Sequence, residues 1–224
     1  MRGILLTFIF FVYFGSGRAQ ETDTVPPLQD TVLEYYPTGQ LYREYVKKYN
    51  VRWGFFKEYY KNGELRIHTH FFDNDLNGSW KDYFPNGRIR TICFYEYGLR
   101  EGDYKRYYEN GLLEVHTGFH EDKPEGRFVS YYENGFKKHK GHYRNGEREG
   151  RWQFFSDDGS LESELNYVNG QLHGEAVHYY SSGKVRSRMH YQEGQLHGAH
   201  QVFNKQGELI REKNYENGEE IGVN

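Results

Sequence analysis

The stretch YVNGQLHGEAVHYYSSG, residues 167–183, decides the fold, because close copies recur as YQEGQLHGAHQVFNKQG from Tyr191 and YRNGEREGRWQFFSDDG from Tyr143. Working outward from it, Gly54, Gly78, Gly102, Gly126, Gly150, Gly174, Gly198 and Gly222 stand 24 residues apart without an insertion. Nine positions later a second glycine recurs at Gly39, Gly63, Gly87, Gly111, Gly135, Gly159, Gly183 and Gly207. A third position reads Asn50, Asn74, Gly98, Asp122, Gly146, Gly170, Gly194 and Gly218, all residue types that tolerate positive φ. A fixed period of this length marks a repeat architecture. Eight repeats fill residues 30–221, with 30–53 as a weak N-terminal cap and 198–221 as the C-terminal repeat.

Between the glycines, side chains alternate with period two. Leu65, Ile67, Thr69 and Phe71 fall on one face, and Arg66, His68 and His70 on the other, the pattern of a strand with one packed face. Asn62-Gly63, Asn86-Gly87, Asn110-Gly111, Asn134-Gly135 and Asp158-Gly159 are dipeptides preferred in tight hairpin turns. Each repeat is therefore expected to be a β-hairpin, with Gly54, Gly78, Gly102, Gly126, Gly150, Gly174 and Gly198 as turn residues. A lone hairpin is marginal in water, so successive hairpins must pair edge to edge. The expected fold is all-β: an elongated single antiparallel sheet of stacked hairpins, sixteen strands in all.

A constant aromatic column, Tyr59, Tyr83, Tyr107, Tyr131, Phe155 and Tyr179, with Tyr35 and Phe203 at its ends, is expected to stack in rows. Trp80 and Trp152 lie three residues before that column. An ideal strand puts them on the opposite face, so either a bulge sits near the glycine or aromatics show on both faces. The charges in the last strand, Arg211, Glu212 and Lys213, together with Asn214, discourage further pairing at an exposed edge and suggest a cap.

Residues 1–19 read as an export signal: Arg2, then the apolar run Ile4–Phe14, then small Gly17 and Ala19 at cleavage spacing. The run is shorter than the roughly 20 apolar residues of a membrane-spanning helix. The expected product is exported, periplasmic or secreted. Residues 20–29, with Pro26 and Pro27, read as a flexible lead-in. The whole chain has 29 Lys+Arg against 32 Asp+Glu; without Arg2 and Arg18 the balance is 27 against 32, a net −5. That excess of acid argues against nucleic acid and gives no general attraction to an anionic membrane surface. Cys93 is the only cysteine, so no internal disulfide can staple an exported chain; a small buried hydrophobe is its expected role.

Tyr-x-x-Gly-x-x-x-Gly, as in Tyr143, Gly146, Gly150 and Tyr191, Gly194, Gly198, with the His-Gly pairs His173-Gly174 and His197-Gly198, resembles the MORN repeat. It is most similar to the bacterial variant form, with a signature close to GxWxxYYxNGxLxxxxxYxNGxxxG, and the resemblance covers residues 30–221. It implies a hairpin-stack scaffold for protein contacts, with lipid binding proposed for some eukaryotic members. Proteins of this variant class are often labelled antitoxin components of toxin–antitoxin pairs. The chain departs from the commoner repeat, which has a second glycine two after the first; Phe56, Trp80, Tyr104, Phe128 or Trp152 stands there.

Repeats account for nearly all of residues 30–221, so any chemistry would have to be built on their faces. His70 and His142 share one repeat phase three repeats apart, roughly 30 Å at two strands per repeat, which no metal spans. His173 and His197 are about 10 Å apart by the same spacing, against metal bonds of about 2 Å. Glu162, Glu164, Asp157 and Asp158 read as solvated charges, and the glycines do not sit between a strand and a helix N-terminus as a phosphate loop requires. The expectation is a non-enzyme with no catalytic residues, cofactor or metal. Its partner is expected to be another protein, met through rows of Tyr and Arg, with Arg66, Arg90, Arg186 and Arg188 as the candidate surface. The alternatives are an immunity or antitoxin protein that neutralises a toxin, and a glycan-binding envelope protein.

Overall fold

The computed structural model describes residues 29–222; the expected export signal and nearly all of the lead-in lie outside the described residues. No helix occurs among the described residues, and all printed pairings are antiparallel between strands adjacent in sequence. The chain divides into two compact parts, one up to Leu99 and one from Arg100. The first holds β1 (Gln29–Tyr35), β2 (Leu41–Lys48), β3 (Val51–Tyr59), β4 (Leu65–Phe72), β5 (Asp75–Leu76), β6 (Gly78–Tyr83) and β7 (Ile89–Glu96). The second opens with β8 (Leu99–Tyr107), β9 (Leu113–His120), β10 (Lys123–Tyr131), β11 (Lys137–Arg144), β12 (Glu147–Phe155) and β13 (Leu161–Val168). It continues through β14 (Gln171–Tyr179), β15 (Val185–Gln192), β16 (Gln195–Leu196), β17 (Gly198–Phe203), β18 (Leu209–Glu216) and β19 (Glu219–Ile221). The stacked-hairpin architecture expected from the period is present in each part. Nineteen segments replace sixteen because β5 and β6, like β16 and β17, are one strand interrupted, at Asn77 and at His197, while β19 adds a short final strand.

Two kinds of turn alternate, and they fall at opposite ends of the hairpins from those expected. Asn62-Gly63 belongs to a wider loop in which Tyr60 N–H donates to the Glu64 carbonyl (2.8 Å) and Gly63 N–H to the Tyr60 carbonyl (2.9 Å). Gly63 takes φ +87° while Asn62 stays out of the left-handed region, the pattern of a three-residue hairpin loop closed by a glycine bulge. The two-residue turns lie between repeats, as at Asp73 (φ 51°) and Asn74 (φ 71°) or Asn145 (φ 52°) and Gly146 (φ 89°), with positive φ at both positions. Asn62 stays in the wider loop because its side chain is used there: Oδ1 accepts the Glu64 N–H at 3.1 Å.

Gly54 and its equivalents are not turn residues. Gly54 lies inside β3 at φ +93°, where Tyr45 pairs with Phe56 and Lys47 with Arg52, so residues 53–55 bulge opposite Val46 alone. Gly126 in β10 repeats the irregularity between Glu125 and Val129. Both alternatives left open for the tryptophans therefore occur. The bulge exists, and Trp80 packs on Tyr95 (5.9 Å between centroids) while Tyr179 bonds Glu164 on the other face.

The packed face differs between the two parts. In the first, Phe56 meets Tyr45 (5.9 Å) and Phe71 (5.6 Å), Arg52 lies over both Phe56 and Phe71, and Cys93 is buried opposite Trp80. Next to Phe56 the carboxylate of Glu58, 4% exposed, takes Arg43 Nε at 2.8 Å and Arg66 Nη1 at 2.7 Å. In the second, Trp152 is 1% exposed among Phe128, Tyr143 and Tyr167, with the Arg148 guanidinium 4.7 Å from its ring. Gly141 makes room for it: a Cβ there would come within 2.2 Å of the indole.

Candidate functional site

The expected aromatic column does not stack on itself; among the described residues the ring pairs fall in other columns. Tyr59 and Tyr179 instead turn their hydroxyls to carboxylates, Tyr59 to Glu44 and Tyr179 to Glu164 at 3.0 Å. Burial first, then those carboxylates, pushes both phenols above their ordinary pKa. Burial does the same to Tyr83.

A neighbouring column that the sequence reading did not single out does connect the repeats. Tyr36 OH donates to the Tyr59 carbonyl at 2.7 Å, Tyr60 to Tyr83 at 2.7 Å, Tyr108 to Tyr131 at 2.8 Å, Tyr132 to Phe155 at 2.8 Å and Tyr180 to Phe203 at 2.7 Å. Beside it runs a second ladder, in which Asn62 Nδ2 donates to the Pro85 carbonyl, Asn110 to Glu133 and Asn134 to Asp157, at 2.7 to 2.9 Å. The signal was visible as Tyr-Tyr dipeptides at 24-residue spacing, 35–36, 59–60, 107–108, 131–132 and 179–180. Asp158 replaces asparagine in this column and cannot donate. It gathers the Ser156 and Ser160 hydroxyls and the Ser160 N–H, which together lower its pKa to about 2.

Of the four candidate arginines, three are engaged within the chain. Arg66 bonds Glu58, Arg90 bonds Asp82 at 2.7 Å and Arg188 bonds Glu175 at 2.8 Å. Arg66 and Arg90 also lie over Tyr60 and Phe84, the aromatics of the ladder column, so they buttress the loop end of the hairpins. Arg186 occupies the same repeat position and acts on His178, whose pKa is lowered by burial and then by Arg186. Arg188 stands apart, on the face opposite Trp152.

That opposite face is polar. Lys57 meets Glu44 at 2.6 Å, Lys105 meets Asp103 at 2.6 Å, and Arg151, Gln153 and Tyr179 converge on Glu164. Burial works against the Glu164 charge, yet these hydrogen bonds hold its pKa below the ordinary carboxylate range. Around Gly118 the face opens into a hollow of about 390 Å³ lined by His116, Glu125, Arg127, Val129 and Tyr131. Gly118 is required there because a Cβ would come within 2.6 Å of the Glu125 carbonyl oxygen. Among the described residues no three His, Cys, Asp or Glu side chains gather as metal ligands would.

The family model described as MORN repeat variant matches residues 56–73, 76–97, 100–117, 124–145, 148–169 and 172–193, more than half of the chain. The chain belongs to that family. MORN repeats are a non-enzymatic scaffold kind that commonly mediates protein or membrane contacts. No similar protein was found among curated ones. Each matched MORN segment opens around the glycine bulge and closes near a two-residue turn, so the family pattern records the backbone positions that need positive φ and leaves the charged face free to vary.

Proposed function

We propose that this MORN repeat protein is an exported, non-enzymatic scaffold that binds another protein through its polar face. The observation that carries the reading is the division of labour between faces. One face is filled by Phe56, Phe128, Trp152 and the arginines over them, while the other presents exposed Arg127, Arg151, Glu175 and Arg188. Interfaces draw much of their affinity and specificity from such Arg-rich, charge-complementary surfaces.

The test is affinity capture with residues 20–224 from envelope and culture-medium extracts of the source cell. One dominant retained protein, lost when Arg127, Arg151 and Arg188 are changed together to Ser, supports the reading. Retention of a toxin that the chain neutralises would make the partner specific. Turnover that depends on particular side chains would overturn it.

The hollow at Gly118 favours a second reading, glycan binding, because Tyr131, Arg127 and Glu125 offer an aromatic wall and polar groups. Saturable retention on a polysaccharide resin, lost in Tyr131→Ala, is its test.

A further inference from the structure

We propose that the chain associates with further copies of itself head to tail, β18 of one copy pairing with β1 of the next in the register that joins its own repeats. Inside the chain, the second strand of one repeat faces the first strand of the next fifteen residues on. Arg43 faces Glu58, Ile67 Asp82, His139 Phe154, Ser163 His178 and Ser187 Val202. Among the described residues β18 pairs with β17 on one side and, on the other, with β19 only along Asn214–Glu216; β1 pairs with β2 alone. Leu209–Lys213 and β1 thus each present an unpaired backbone edge, which is a template for strand addition.

The side chains at the two edges complement each other in that register. The rule sends Arg211 to the first-strand position that Glu34 occupies eight repeats earlier. Arg211 against Glu34 of a second copy is the same pair as Arg43 with Glu58, which bond at 2.8 Å within the chain. One residue further, Glu212 meets Tyr35 of the second copy, as Glu164 meets Tyr179 at 3.0 Å. The exposures agree. Tyr35 is 54% exposed and Leu209 49% exposed, whereas Tyr59, Tyr83, Tyr131 and Tyr179 in the first column, and Leu65, Ile89, Leu113, Leu161 and Val185 in the second, are half-buried by their neighbours. Ile210, 61% exposed, extends the uncovered strip. The charges read from sequence as edge protection become, in this register, a code that admits a matching copy. The contact is heterologous, so it builds open chains or closed rings.

The test is sedimentation of the form beginning at residue 20, which lacks the apolar run, across a concentration series. Mass is expected to rise with concentration. Arg211→Glu should weaken association about tenfold or more, because it places two carboxylates opposite each other. Glu34 also bonds Tyr45 within its own hairpin, so Glu34→Arg is used only after its melting temperature is shown to match the parent. Chains carrying one change each, monomeric alone, should associate when mixed, which a symmetric contact of β18 with β18 would not give. A monomer at every concentration, association indifferent to Arg211→Glu, or no rescue on mixing folded variants would each overturn the proposal.

Discussion

The packed faces around Glu58 and around Trp152 use the same repeat backbone for opposite chemistry. Two residues on from Phe56 the first part buries a carboxylate between two arginines; two residues on from Trp152 the second part places Phe154, against His139 at 5.2 Å. Position two after the bulge glycine is aromatic in both places, but only Trp152 is large enough to require Gly141 opposite it. The comparison teaches that positive-φ glycines and turns set the frame, while the columns between them carry either ion pairs or rings.

The largest effect should come from breaking the aromatic side. Trp152→Ala removes a side chain that is 1% exposed and should cost about 3–5 kcal/mol, read as a lower melting temperature and denaturation midpoint. Gly141→Val, which drives a side chain into the same ring, should lower the midpoint to a similar extent, and equal stability would mean the indole can move aside. On the ionic side, Glu58→Ala leaves Arg43 and Arg66 facing each other without their carboxylate. Because both guanidiniums are about a third or more exposed, the expected loss is about 2 kcal/mol, below the range for a fully buried pair. A Glu58→Ala loss as large as that of Trp152→Ala would erase the contrast.

Smaller again is the ladder. Tyr132→Phe keeps the ring and removes one bond to Phe155, for about 1 kcal/mol; a chemical denaturation series on Tyr60→Phe and Tyr132→Phe checks whether the rung has equal weight in both parts. The smallest effect is expected from pH. Burial lowers the pKa of His139, and of His178, below the ordinary histidine value of 6.5. The unfolded chain therefore binds protons first as pH falls, and stability should decline from about 6.5 downward through the folded values. His139→Gln should flatten that slope in melting curves taken across pH 5 to 8.

Much of this frame was legible from the sequence. Gly54 and its equivalents announce the period, and Leu65 to Phe71 announce the strand. What sequence pattern misassigned was which glycine does what. Asn-Gly is the commonest signal for a two-residue turn, but Asn62 has a carbonyl 23 residues away to bond, and that partner favours the wider loop. The Tyr60 ladder and the Arg52, Arg100 and Arg148 guanidiniums over Phe71, Phe119 and Trp152 escaped for a related reason. Their role depends on which residue of another strand or repeat lies across from them, and a period alone does not say that. Arg66 and Arg90 were singled out for exposure to a partner, yet their carboxylates lie eight residues away in the same hairpin.

The central claim is that the polar face, and not the packed one, meets another protein. The most direct measurement is hydrogen–deuterium exchange of residues 20–224 with and without the captured protein, at matched stability. The account predicts added protection centred on β10, β12, β14 and β15 around Arg127, Arg151, Glu175 and Arg188, with the Arg127/Arg151/Arg188 variant showing none. Protection unchanged by that variant, or undiminished binding when it is used as bait, would contradict it.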